Sequence, residues 1–165
     1  MRAVRLTIDD LGSIGEIVSA IGVIASLLYV GLQIRSNTEA TRSATRQALS
    51  DQDLMYVTAG IDSSILAEAT AKLEKKLDVS AAEASQLVQH QHLNVRIAEN
   101  AFYQYKLGLL EKVIWDRYLA ILELQLRHNP YAYKHWSHYR NSYSRDFQMV
   151  VDQVLERERL ASSPV

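Results

Sequence analysis

The pattern of apolar and polar positions along the chain falls into two regimes. From Ile17 to Ile34 the alternation stops, and IVSAIGVIASLLYVGLQI runs for eighteen residues without a formal charge. Beyond Arg35 apolar residues return mostly every third or fourth position, the period of helices with one buried face. The pattern predicts an all-α chain, in which a long N-terminal transmembrane helix continues into a stalk and leads to a bundle of about four to five helices.

At about 1.5 Å per residue, eighteen helical residues span roughly 27 Å, close to the apolar thickness of a bilayer. Ten of these residues are Ile, Val or Leu. At about −0.3 to −0.6 kcal/mol each they contribute roughly −3 to −6 kcal/mol to insertion. Two serines, two glycines and Gln33 reduce the sum without reversing it. The competing reading is a core helix buried all round in a soluble bundle. A cleaved signal peptide fits less well, because Asp9, Asp10 and Glu16 precede the run and Gln33, Ile34 and Arg35 follow it with no small-residue cleavage pattern.

Small residues are grouped within this helix. Gly12, Gly15, Ser19, Gly22 and Ser26 recur at spacings of three and four, which sets them in one stripe, with Ile17, Ile21, Ile24, Leu28 and Leu32 on the other faces. In lipid such a stripe lets two backbones approach closely. A chain with one such segment finds its partner in another copy, so a homo-oligomer in a lipid bilayer is expected. Along one edge, Gly12, Ser19, Ser26 and Gln33 recur every seven residues, and Ala40 and Gln47 continue the spacing. Turned inward in several copies, that edge would line a narrow polar path with Glu16 near its mouth. The plainer reading is that Ser and Gly here only permit packing.

Residues 1–13 mix apolar and charged positions and are expected at the membrane interface, followed by helix and stalk over 14–59, a bundle over 62–160 and a disordered tail over 161–165. Arg2 and Arg5 flank one side of the apolar run against Arg35, Arg42 and Arg46 on the other. This slight excess points to a cytoplasmic C-terminal domain. The stalk lacks Pro and Gly until Gly60, where it is expected to end, and Asp62 is the candidate cap of a short helix over about 63–77. Ser80-Ala81-Ala82-Glu83 is a capping box. The helix it opens carries Val88, Gln91, Val95, Ala98, Phe102, Tyr105 and Leu109 as its core face, and Gly108 closes or kinks it. Glu111 to about His128 forms the next helix, with Val113, Ile114, Tyr118, Ile121 and Leu122 inward. Asn129 caps a further one with Pro130 in its first turn. Trp136, Tyr139, Tyr143, Phe147, Val150, Val151 and Val154 mark the last stretch, with a break near Ser142 to Ser144.

Charge and composition narrow the function classes. With 18 basic and 19 acidic residues the chain has no electrostatic footprint for nucleic acid. The absence of cysteine removes disulfides, thiolate metal sites and a cysteine nucleophile.

The apolar run with its trailing QIRSN, the segment ENAFYQYKLGLLEKVIWDRY and the C-terminal YKHW and RDFQMVVD stretches resemble an uncharacterised, widespread bacterial family of short hypothetical proteins with an N-terminal membrane helix. The resemblance covers most of the chain, and Glu99 to Leu110 is its most specific part. It implies a bacterial inner-membrane location and the architecture above, and it carries over no catalytic residue.

Chemistry candidates are few. His90 and His92, two residues apart, point to different helix faces. His135 and His138 fall at i and i+3 with His128 nearby, but no acidic neighbour completes a metal set at helical spacing, so partly exposed histidines on an aromatic-rich surface are expected and no metal. Arg96, Glu99 and Tyr103 share a face, which suits a buried polar network or a small-molecule anchor. Of the aromatic residues, Tyr131, Tyr133 and Tyr139, beside Lys134 and Arg140, are candidates to face a membrane or partner. The expectation is a non-enzymatic membrane scaffold or assembly protein without cofactor. A homo-oligomeric pore lined by the Ser/Gly face is the second reading, and a ligand-sensing or enzymatic helical domain the third.

Overall fold

The computed structural model describes residues 8–162, with side chains at residues 12 and 15–157. Six α-helices and one short 3₁₀ turn account for nearly all of it, and the described residues contain no strand. They are α1 (Ile8–Asp62), α2 (Ser64–Glu74), α3 (Ala81–Lys106), α4 (Lys112–His128), α5 (Pro130–Tyr139), the 3₁₀ turn Arg140–Ser142, and α6 (Arg145–Ser162). The chain divides into two compact units, Met1–Thr41 and Arg42–Val165.

In the first unit, α1 begins before the apolar run. Residues 8–13, expected as an interfacial segment, are already helical, while residues 1–7 of that segment lie outside the described residues. The apolar run is exposed throughout, from Val30 at 48% to Leu32 at 69%. It is not buried in a core, as the soluble-bundle alternative required. Among the described residues, one helix is long and apolar enough to cross a membrane.

The second unit is a bundle, and its first member is the end of α1. Leu49 is buried, while Thr45, Gln52, Asp53, Tyr56, Ala59 and Gly60 are half-buried. This corrects the reading of the whole stretch as a stalk. The docking is mostly polar: the Asn100 amide donates to Gln52 at 3.0 Å, the Tyr118 hydroxyl donates to Asp53 at 2.7 Å, and Arg46 pairs with Glu111. Hydropathy does not register such contacts. Gly60 does not end the helix, which continues to Asp62. A Cβ at Gly60 would come within 3.3 Å of His90 Nε2, so glycine admits the His90 ring there.

The cap of α2 is Ser63, not Asp62, and its hydroxyl accepts from the Leu66 amide at 3.2 Å. The box at Ser80 forms as read: the Ser80 side chain accepts from the Glu83 amide and Glu83 accepts from the Ser80 amide at 2.6 Å. Lys72 then adds an ion pair to Glu83 at 2.6 Å. Gly108 follows the end of α3 with φ +71°, a left-handed conformation that suits glycine. Asn129 caps α5 by accepting from the Tyr131 amide at 2.9 Å, with Pro130 in the first turn.

The main core gathers Leu49 with Val95, Ala98, Trp115, Leu122, Trp136, Tyr143, Phe147, Val151 and Val154. A smaller cluster of Leu66, Ala69 and Leu87 holds α2 on α3. In α4 the inward face is rotated from the expected one. Val113 at 59% and Ile121 at 49% are exposed, whereas Trp115, Leu122 and Leu126 are buried. Burying Trp115 removes a larger surface than burying Val113, and that choice sets the helix phase. The tail expected over 161–165 is helical at 161–162, and residues 163–165 lie outside the described residues.

Candidate functional site

Two regions carry the candidate residues, one in each unit. In the first, Gly12, Gly15, Ser19, Gly22, Ser26 and Gln33 are all exposed. A Cβ built at Gly12, Gly15 or Gly22 meets nothing within 4 Å, so this face is open to close approach by another helix. The Ser26 hydroxyl donates to the Gly22 carbonyl at 2.8 Å, which satisfies the donor inside its own helix and makes it tolerable in an apolar medium. Past the apolar run, Thr38 repeats this bond to Ile34 at 2.9 Å, and Arg35 pairs with Glu39 at 3.2 Å.

In the second unit, Arg96 and Glu99 sit one turn apart on α3 and pair at 2.8 Å. The other Glu99 oxygen accepts from the Ser144 amide at 2.7 Å, and Arg96 donates at 3.4 Å to the carbonyl and hydroxyl of Ser142. The pair therefore clamps the 3₁₀ turn between α5 and α6. Tyr103 takes no part: its side chain is 59% exposed and makes none of these contacts. Its expected place is taken by Tyr143, whose ring lies under the Arg96 guanidinium at 4.4 Å. Tyr143 is forty residues beyond Tyr103, so no helical spacing connects it to Arg96.

Tyr143 leads to a histidine that sequence reasoning placed near the surface. His135 is wholly buried, and its Nε2 lies 2.7 Å from the Tyr143 hydroxyl, while Nδ1 has no partner. The rings of His92 and Tyr139 pack against it at 5.1 and 4.8 Å. Burial holds its pKa down to about 4, and the nearby charges of His92, Arg96 and His138 act in the same direction. His92 is lowered by burial and then by Arg96. His90 points elsewhere and stacks on Tyr56 at 4.1 Å, and burial lowers its pKa too. His138 is exposed and does not converge with His135. Among the described residues no three His, Asp or Glu side chains gather as a metal site.

Two cavities border this region. One of about 180 Å³ is lined by Gln52, Met55, Tyr56, Arg96 and Asn100, below the usual volume for a small-molecule site. Another of about 540 Å³ lies between α3 and α5, lined by Ser85, Gln89, Lys134, His138 and Tyr139. Neither is lined by Glu99 or Tyr103. The arrangement at Arg96 holds a turn: Arg96 donates to Glu99 and to Ser142, and Glu99 accepts from the Ser144 amide. No protein-family model, no curated protein and no solved structure matches the chain.

Proposed function

We propose that this chain is a membrane-anchored, homo-oligomeric helical scaffold or assembly protein of the bacterial inner membrane, single-pass, with its bundle on the cytoplasmic side. The observation that carries this reading is the exposure of the whole apolar run from Ile17 to Ile34, with the small-residue face of the same helix also open. Contiguous apolar surface of this extent is not left in water by soluble proteins, and a lipid bilayer covers it with few polar side chains to desolvate, Ser19, Ser26 and Gln33 among them. The open face supplies what lipid alone does not fill, a close contact between backbones. The bonds of Arg96 and Glu99 to the turn between α5 and α6 support a structural role for this pair.

A second reading, a homo-oligomeric pore, is favoured by one observation. Ser19, Ser26 and Gln33 are exposed along one edge at intervals of seven. Measuring the mass of the protein in nanodiscs, with and without residues 1–34, tests the first reading. A membrane-extracted oligomer whose truncated form is a soluble monomer supports it, and a water-soluble full-length protein removes both. Ser26→Leu then separates the two. A scaffold stays assembled or weakens modestly, whereas a pore loses conductance across a planar bilayer.

A further inference from the structure

The cavity of about 540 Å³ between α3 and α5 falls within the range of roughly 300–1,000 Å³ usual for small-molecule sites. It is open because the side chains that face it are short. Ala81, Ala84 and Ser85 on α3 and Ser137 on α5 end at Cβ or one atom beyond, so the two helices do not fill the space between them. Further along α3 the side chains are long and the gap closes: the His92 ring reaches that of Tyr139 at 5.8 Å, and Arg96 reaches Ser142. Half-buried Ala84 and Val88 give the cavity an apolar floor. The Tyr139 ring, stacked at 4.8 Å on the wholly buried His135, gives it a fixed wall.

The polar lining is of one sign. Lys134 and His138, one turn apart on α5, share it with Ser85 and Gln89, one turn apart on α3, and no acidic residue lines the cavity. The stretch from Asn129 to Arg145, which contains α5, has no Asp or Glu at all. Glu83, next to Ala84, is turned to Lys72 and the Ser80 amide. Lys72, Lys106 and Lys112 of the bundle each pair with a carboxylate, whereas Lys134 pairs with none among the described residues. We propose that this cavity binds a small organic carboxylate, with its apolar body on Ala84, Val88 and Tyr139 and its charged end on Lys134 and His138. The charge of the ligand follows from a lysine and hydrogen-bond donors gathered without an acid. Its apolar body follows from the floor and the volume, which an inorganic oxyanion would leave largely unfilled. The site lies wholly within the second unit, so it stands or falls independently of how α1 assembles.

Full-length protein in nanodiscs of zwitterionic lipid is equilibrated by dialysis with naphthoate, with its neutral isostere naphthamide and with decanoate, and empty nanodiscs serve as the blank. Saturable, protein-dependent binding of an acid, several-fold tighter than that of the amide, is the expected result. Naphthoate as the tighter acid assigns a ring-bearing solute, and decanoate as the tighter acid assigns an acyl chain released from lipid. Lys134→Gln, at an exposed position, should weaken the acid about three- to fivefold and leave the amide unchanged. Ser85→Leu, which fills the cavity from α3, should weaken acid and amide alike. Circular-dichroism melting shows that each variant keeps the fold. Equal binding of acid and amide, binding of the acid unchanged in folded Lys134→Gln or Ser85→Leu, or no protein-dependent binding of either acid overturns the proposal.

Discussion

The Nε2 atom of His135 and the hydroxyl of Tyr143 lie 2.7 Å apart, with the imidazole wholly shielded from solvent. This bond joins α5 to the segment after the 3₁₀ turn, beneath the Arg96 guanidinium that covers the Tyr143 ring. Burial pushes the Tyr143 hydroxyl well above the ordinary tyrosine range, so it stays neutral. Tyr143→Phe leaves His135 with neither ring nitrogen partnered and is expected to cost about 1–3 kcal/mol. Urea unfolding followed by circular dichroism checks this, and an unchanged midpoint would sink it.

Acid sensitivity follows from the same histidine. The unfolded chain takes up a proton at the ordinary 6.5, while the folded chain resists until about 4. Unfolding therefore gains a proton between these values. The contribution is complete above pH 6.5 and is lost as the pH falls towards 4, and the lowered His92 and His90 act in the same sense. Stability is expected to decline already between pH 6.5 and 5, above the main carboxylate range. His135→Gln should flatten that slope. An equal slope in the variant would assign the decline elsewhere.

The Arg96–Glu99 clamp predicts a local effect. Glu99→Ala removes the acceptor of the Ser144 amide and the partner of Arg96. Hydrogen exchange at Ser144 and its neighbours should accelerate more than exchange in α4. Tyr103→Phe, which removes a hydroxyl outside the clamp, should leave both rates unchanged.

At the start of α3, Ser80→Ala is expected to cost about 0.5–2 kcal/mol, because the Glu83 amide loses its side-chain acceptor. Lys72 and the Ser80 amide hold the Glu83 carboxyl down to about 2. Its stabilising effect is present above its ordinary value of 4.5 and is lost as pH falls towards 2. Glu83→Gln should therefore lower the melting temperature at pH 7 and have a smaller effect at pH 3.

The phase of α4 gives a paired test. Trp115, buried at 5% exposure, packs its ring 5.3 Å from that of Phe102, and Trp115→Ala should cost about 3–5 kcal/mol. Val113→Ser, on the face first read as buried, should stay within about 0.5 kcal/mol of the parent. A large effect at Val113 would return α4 to the expected phase.

The sequence by itself determined the class and most element boundaries, because those depend on neighbours within a few residues. The apolar run, the Ser80–Glu83 box, Asn129-Pro130 and Gly108 each act through local backbone geometry, and each appears where spacing and residue type put it. Tertiary structure decided the rest. The sequence shows Gln52, Asp53 and Arg46 as a solvated stalk, yet Asn100, Tyr118 and Glu111 receive them, and polar pairing of this kind has no periodic signature. Tyr143 replaced Tyr103 beside Arg96, and His135 went inside, for the same reason. Helical spacing relates residues three or four apart, whereas these contacts join segments more than forty residues apart or cross a turn, and only packing brings those surfaces together.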